Sequence, residues 1–221
     1  MAVTTRDETI RIEATLAAVL EDGVILAVRL GDGGRVVEAC RAAARGGLRV
    51  LEMTLTTPGA LEAIRILSRD PGVLAGGGTV LEPRQVREVA DAGGRFVLSP
   101  VFDREVVDEA HRLGLLAVPG TATPAEIFAA HRHGARLVKV FPSGALGGPA
   151  YLRAVRGPFP LIPLVPTSGP TSETLADYFR AGAVAVGVGS EVFHENFTLA
   201  TIEAAARRIR EAVRAYRGAA V

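Results

Sequence analysis

The sequence predicts an α/β fold, a single (β/α)8 barrel over residues 1–221 with one extra helix ahead of the first strand. Three observations point there. Short apolar runs alternate along the whole chain with stretches of helical period. Glycine follows most of the helical stretches, where a left-handed residue ends a helix and turns the chain back. No linker, low-complexity tract or composition shift interrupts the rhythm, so a second domain finds no boundary. Such alternation builds a parallel sheet buried on both faces, and eight units can close it into a barrel. An open doubly wound sheet is the alternative, but it would leave edge strands with no evident protection.

Residues 8–22 read as the extra helix, with Ile10, Ile12, Leu16, Val19 and Leu20 on one stripe and Gly23 ending it. Residues 24–30 form the first strand, and the glycines at 31, 33 and 34 lead into a helix reaching Arg45. The second strand covers 49–54, after which Pro58, favoured in a first helical turn, opens a helix to Arg69. The third strand is 73–76, its helix 82–92, and the fourth strand 95–98. Asp103 starts a helix stopped at Gly114, 115–118 is the fifth strand, and Thr123-Pro124 caps a helix ending at Gly134. The sixth strand lies within 136–143. A helix at 149–156 precedes the seventh strand, 161–165. Thr171 or Ser172 begins a helix ended by Gly182, 183–187 is the eighth strand, and a long amphipathic helix over 199–216 follows.

Composition excludes several function classes. Nearly half the residues (48%) are hydrophobic, yet no apolar run approaches the ~20 residues of a membrane span. A net charge of +1, with bases and acids intermixed, argues against a nucleic-acid surface. Cys40 is the one cysteine, which leaves no disulfide framework and no thiolate metal site. Asp7 and Glu8 precede the first apolar stretch, unlike a signal peptide, so a reducing, cytoplasmic location is expected.

The chemistry centres on Lys139. Of 25 lysines and arginines it alone is lysine, and it sits in the middle of an apolar strand. Arginine stays protonated in proteins, whereas a desolvated lysine can lose its proton and become a nucleophile. The plainer alternative is a strand-end lysine whose stem is buried while its charge reaches water. Active sites of such barrels lie where the strands end. There the second strand supplies Glu52, a carboxylate among apolar residues that must be paired or working. A purely structural partner for Lys139 is its alternative role. The third strand ends in Gly76-Gly77-Gly78-Thr79, which serves equally as a tight turn with Thr79 as a cap. Thr167, Ser168 and Gly169 after the seventh strand, with Gly189 and Ser190 after the eighth, form a candidate phosphate cradle. Small residues ahead of a helix expose N–H groups, and the helix end adds positive potential.

No metal site is expected. His131 and His133 stand two apart on a helix, as surface residues, and His111 and His194 have no ligand spacing. The glycine run lacks the Gly-Lys-Ser/Thr of a nucleotide loop, and no Ser-His-Asp arrangement can be placed. An amine nucleophile, a carboxylate and an anion cradle at one mouth point to carbonyl chemistry through a Schiff base, with the carboxylate moving protons.

Leu51-Glu52-Met53-Thr54-Leu55, Gly76-Gly77-Gly78-Thr79-Val80-Leu81, Leu98-Ser99-Pro100, the run from Val118 to Glu126 and Val138-Lys139-Val140-Phe141-Pro142 together resemble one family. It is the bacterial 2-keto-3-deoxy-6-phosphogluconate (KDPG) aldolases with their 4-hydroxy-2-oxoglutarate and 6-phosphogalactonate relatives, and the likeness runs over residues 24–193. The resemblance implies a class I lyase that needs no metal or cofactor and assembles as a homotrimer. It implies that Lys139 forms the imine with pyruvate and that Glu52 is the general acid/base. Thr79 would contact the keto acid, and Pro100 and Phe141 would line its pocket. Three positions depart from the family pattern. Thr56 stands where an arginine usually follows Thr-Leu, and Ser168 replaces the first glycine of Pro-Thr-Gly-Gly. Arg29 directly follows Val28 instead of standing one residue further on. Arg29 reaches the substrate only if the first strand ends before it. The expected reaction is cleavage of a KDPG-like acid to pyruvate and glyceraldehyde 3-phosphate, with 4-hydroxy-2-oxoglutarate as a further substrate. A phosphate-binding isomerase or synthase, or a non-catalytic barrel that senses a phosphorylated metabolite, are the competing readings.

Overall fold

A computed structural model describes residues 4–194 and 196–219. The first element, α1 (Arg6–Asp22), begins earlier than expected because Thr5 and Glu8 form a reciprocal capping box. It ends at Gly23, in the left-handed region at φ 76°. Strands and helices then alternate: β1 (Val24–Val28), α2 (Val36–Arg45), β2 (Val50–Thr54), α3 (Ala60–Leu67), β3 (Leu74–Gly78), α4 (Pro83–Asp91) and β4 (Phe96–Leu98). They continue with α5 (Arg104–Arg112), β5 (Leu116–Val118), β6 (Gly120–Thr121), α6 (Pro124–Arg132), β7 (Val138–Val140) and α7 (Gly148–Arg156). The last are β8 (Leu164–Pro166), α8 (Leu175–Arg180), β9 (Val186–Val188) and α9 (Leu199–Gly218).

All strand pairs are parallel. Six strands run in the order β5-β4-β3-β2-β1-β9 and three in the order β6-β7-β8. The expected fifth strand is β5, and a further short strand, β6, follows a break at Pro119, which has no N–H to continue the ladder. Its carbonyl still accepts from Lys139 N–H at 2.9 Å. At the opposite junction Thr167 bridges to Gly187, and Val184 N–H donates to the Leu164 carbonyl at 3.1 Å. The product is a curled parallel sheet with helices packed on its outer face.

Alternate residues of a strand enter different cores, as the two-residue period requires. Val24, Leu26, Val28, Leu51 and Met53 join the helices in the outer core. Ile25, Val50, Phe96, Leu98, Leu116, Leu137 and Val165 fill the inside of the curl. Ile12 and Val19 of α1 pack onto this inner core. The extra helix therefore covers the end where the strands begin and leaves the other end open.

Several boundaries moved for identifiable reasons. β3 extends through the glycine run, and Gly76, Gly77 and Gly78 pair with Glu52, Met53 and Thr54. β8 starts at Leu164, after Pro163, and Leu161 is exposed (87%) rather than strand core. Pro58 lies just ahead of α3, whose N-cap is Gly59. α8 runs from Leu175, and a turn capped by Thr171, whose carbonyl accepts from Thr174 N–H and Leu175 N–H, leads into it.

Candidate active site

Glu52 and Lys139 follow Val50 and Leu137 on the inward faces of β2 and β7, one step nearer the open end. Glu52 is 2% exposed and Lys139 6%. Both face a cavity of about 610 Å³ that also takes in Arg29, Thr79, Pro100, Phe141, Thr167, Ser168, Gly169, Gly189 and Ser190. Every residue expected at the site therefore meets in one space. Sequence reasoning missed Ala27, Thr54, Pro170, Gly187, Val188 and Phe193, which complete the wall. Inward parity on β2 identifies Thr54; the others carry no chemical signal of their own.

Burial shapes both ionisable groups. Desolvation pushes the Glu52 carboxyl above the usual carboxylate range, against the opposing pull of Lys139 and Arg29. Desolvation likewise holds the Lys139 amine below the usual lysine range, with Arg29 adding to that effect and Glu52 opposing it. Each shift favours the uncharged form, a free amine beside a carboxylic acid. No ion pair within 4.0 Å joins the two among the described residues, and both line the cavity. Phe141 lies with its ring centroid 4.9 Å from Lys139 Nζ and shields it from bulk water.

The glycine run has a steric purpose at Gly78. A Cβ there would stand 1.8 Å from Glu52 Oε1 and 2.6 Å from its Cγ, so the carboxylate lies where a side chain would be. The next residue, Thr79, adopts φ 58°, and Ser168 adopts φ 61°. These are the two non-glycine residues with positive φ among the described residues, and both line the cavity. Such conformations cost about 1–3 kcal/mol each and concentrate at functional sites.

β1 ends at Val28, so the register shift noted above does not turn Arg29 away. Its guanidinium donates to Thr79 Oγ1 at 3.3 Å. The peptides on both sides of Arg29 are fixed from the end of β2: Thr54 Oγ1 donates to the Val28 carbonyl at 3.2 Å, and Leu30 N–H donates to Thr57 Oγ1 at 3.1 Å. Thr56, in the place of the family arginine, is exposed and outside the cavity wall.

Two expectations need correction. The anion cradle is not set on helix ends, because α8 starts at Leu175 and α9 at Leu199, several residues beyond the two loops. The amides of Gly169, Gly189 and Ser190 in those loops have no protein acceptor among the described residues. His133 is not a free surface residue either: it is half-buried, 3.1 Å from Asp108 Oδ1 and edge-on to Phe102. His131 is exposed as expected. Among the described residues no group of three or more His, Cys, Asp or Glu is placed to hold a metal. None of the described helices is long and apolar enough to cross a membrane.

The chain is similar to proteins of known activity. Residues 16–205 match the family model for KDPG and KHG aldolase. A 2-dehydro-3-deoxy-phosphogluconate aldolase of Pseudomonas aeruginosa is 45% identical over 138 residues, 62% of this chain and 63% of that enzyme. The crystal structure of the Zymomonas mobilis 2-keto-3-deoxy-6-phosphogluconate aldolase with 3-phosphoglycerate superposes with a TM-score of 0.83 at 29% identity, over 90% of this chain and 96% of that one. A KDPG aldolase of Legionella pneumophila, with pyruvate captured at low pH as a covalent carbinolamine intermediate, superposes with a TM-score of 0.77 at 31% identity, over 91% and 97% of the two chains. With its buried lysine, carboxylate and glycine-rich strand held in the same fold, this chain belongs to the KDPG and KHG aldolase family.

Proposed function

We propose that the chain is a class I aldolase that cleaves a KDPG-like 2-keto-3-deoxy-6-phospho sugar acid to pyruvate and glyceraldehyde 3-phosphate, using no metal or cofactor. One observation carries the reading: the only lysine of the chain is buried, held toward its neutral form, and faces the same cavity as the buried Glu52. The Lys139 amine adds to the C2 ketone, and the Glu52 carboxylic acid gives its proton to the departing hydroxyl, so that the adduct loses water to give an iminium and Glu52 is left as the carboxylate. Glu52 takes the proton from the C4 hydroxyl, directly or through a water, and the C3–C4 bond breaks. Its electron pair flows to the iminium nitrogen and leaves an enamine, while the aldehyde departs. Protonation at C3 and hydrolysis then release pyruvate and the free amine.

Arg29 and Thr79, already hydrogen-bonded, hold the keto-acid carboxylate, and Arg29 supplies the positive charge that Thr56 cannot. Pro100 and Phe141 pack on the pyruvyl carbons. Thr167, Ser168, Gly169, Gly189 and Ser190 hold the phosphate through loop amides and hydroxyls. The family description also covers 4-hydroxy-2-oxoglutarate, which the same steps would cleave to pyruvate and glyoxylate.

We place the site in one eight-stranded barrel domain over residues 1–221, with β5 and β6 counted as one strand and the sheet closed at the Thr167–Gly187 bridge. The protein works in the cytoplasm as a homotrimer that binds neither nucleic acid nor membrane. The chemistry is tested by incubating the protein with pyruvate, reducing with borohydride and weighing the intact chain. A pyruvyl adduct mapped to Lys139 supports the aldolase. Its absence across a range of pH refutes it in favour of an isomerase, a synthase or a non-catalytic binder.

A further inference from the structure

The two loops assigned to the phosphate come from different strands; Thr167 bridges to Gly187 and the Ser168 carbonyl accepts from Gly144 N–H at 2.8 Å, but beyond them no backbone bond among the described residues ties residues 169–172 to the loop after β9. Glu191 joins them. Its Oε2 accepts from the Ser172 N–H at 2.7 Å, and its Oε1 accepts from the Ser172 hydroxyl at 2.5 Å. The Glu191 side chain is only 17% exposed, and Arg208 of α9 approaches its Oε1 at 3.9 Å. A half-buried carboxylate one residue beyond Ser190 would repel a phosphate if its charge were free. With both oxygens committed to Ser172 and a cation behind it, the charge is drawn away from the cavity. Charge-assisted bonds of this kind are stronger and geometrically stricter than neutral ones.

We propose that Glu191 is a positioning residue for substrate specificity. Its clasp on Ser172 holds the far part of the first loop, from Gly169 onward, against the loop carrying Gly189 and Ser190, and so sets the spacing across which a phosphate monoester is held. This inference rests on the phosphate seat proposed above. Loosening the clasp lets the loop amides spread, which weakens their grip on phosphate and leaves the chemistry at Lys139 and Glu52 untouched.

The experiment compares kcat and KM for KDPG and for the same acid without phosphate in four proteins: wild type, Glu191→Ala, Glu191→Gln and Ser172→Ala. The expected result for Glu191→Ala is a rise of about tenfold in KM for KDPG, the scale of a sub-ångström to ångström misplacement, with kcat kept. The values for the unphosphorylated acid should not change. Ser172→Ala should show a smaller rise of the same kind. Glu191→Gln, which can still accept the N–H and donate to the hydroxyl, should restore most of the preference. A charge effect alone predicts the opposite sign, because removing a carboxylate beside a phosphate would tighten KDPG binding. An unchanged or increased preference in Glu191→Ala overturns the clasp, as does a Glu191→Gln protein that behaves like Glu191→Ala. A wild type that turns over both acids equally well overturns the phosphate seat itself.

Discussion

The packing of Glu52 over Gly78 makes Gly78→Ala a sharp test of the proton-transfer geometry. Gly78 has no positive φ, so alanine can adopt its backbone conformation without strain. The added Cβ would lie 1.8 Å from Glu52 Oε1 and 2.5 Å from its Cδ. An ordinary carbon–oxygen contact is about 3.3 Å, so the carboxylate must move by roughly 1.5 Å. The clash is with the far end of a flexible side chain, which can swing into the cavity while the sheet stays in register. A displacement of about 1 Å at a reacting group costs on the order of 10²-fold in rate. Gly78→Ala should therefore fold with near-wild-type Tm, still give the borohydride-trapped pyruvate adduct, and lose about that factor in kcat. Gly77→Ala is the contrasting control. Its Cβ would lie 2.4 Å from Val89 Cγ2 on the outer side of the sheet, so it should lower Tm while the folded fraction keeps its kcat. Steady-state kinetics, thermal melts and intact mass read all of this. Wild-type kcat in Gly78→Ala would show that the position of Glu52 seen here has no bearing on turnover.

Lys139→Arg should keep the fold and abolish retro-aldol activity, because the guanidinium retains charge but cannot form an imine; turnover above a no-enzyme control would exclude the covalent route. Glu52→Gln should still form the pyruvate adduct and lose about 10²–10⁴ in rate, as read by single-turnover kinetics. The same variant carries a stability signature. Burial raises the Glu52 pKa, so the folded chain keeps that proton in the window between the unfolded value of about 4.3 and the raised folded value. The native state binds more protons there, and stability must fall as pH rises through the window. Glu52→Gln should flatten that slope in urea unfolding, and an unchanged slope would assign the pH dependence to other groups. Prolonged chelation should leave activity intact, whereas loss restored by added zinc or magnesium would contradict the imine mechanism.

The chemistry was legible in the sequence because its residue types are costly where they stand. A lysine flanked by Val138 and Val140, and a glutamate within Val50-Leu51-Glu52-Met53, stand out against the two-residue apolar pattern, and that pattern sets their faces before any coordinates exist. Helix starts at Asp103 and Thr123 were equally readable, since capping is local chemistry, whereas sequence reasoning missed the cap at Thr5. Tertiary structure alone decided the rest, because each remaining feature depends on a neighbour distant in sequence. The Gly76–Gly78 run reads locally as a turn, yet it is strand because β2 pairs with it and Glu52 needs the space above Gly78. Arg29 lines the cavity because β1 stops at Val28 and Thr54 and Thr57 hold the peptides on either side. Ser172 is tied to Glu191, nineteen residues further along the chain, a pairing that no local pattern announces. Local residue preferences carry no information about such long-range partners, and folding supplies it by bringing them within bonding distance.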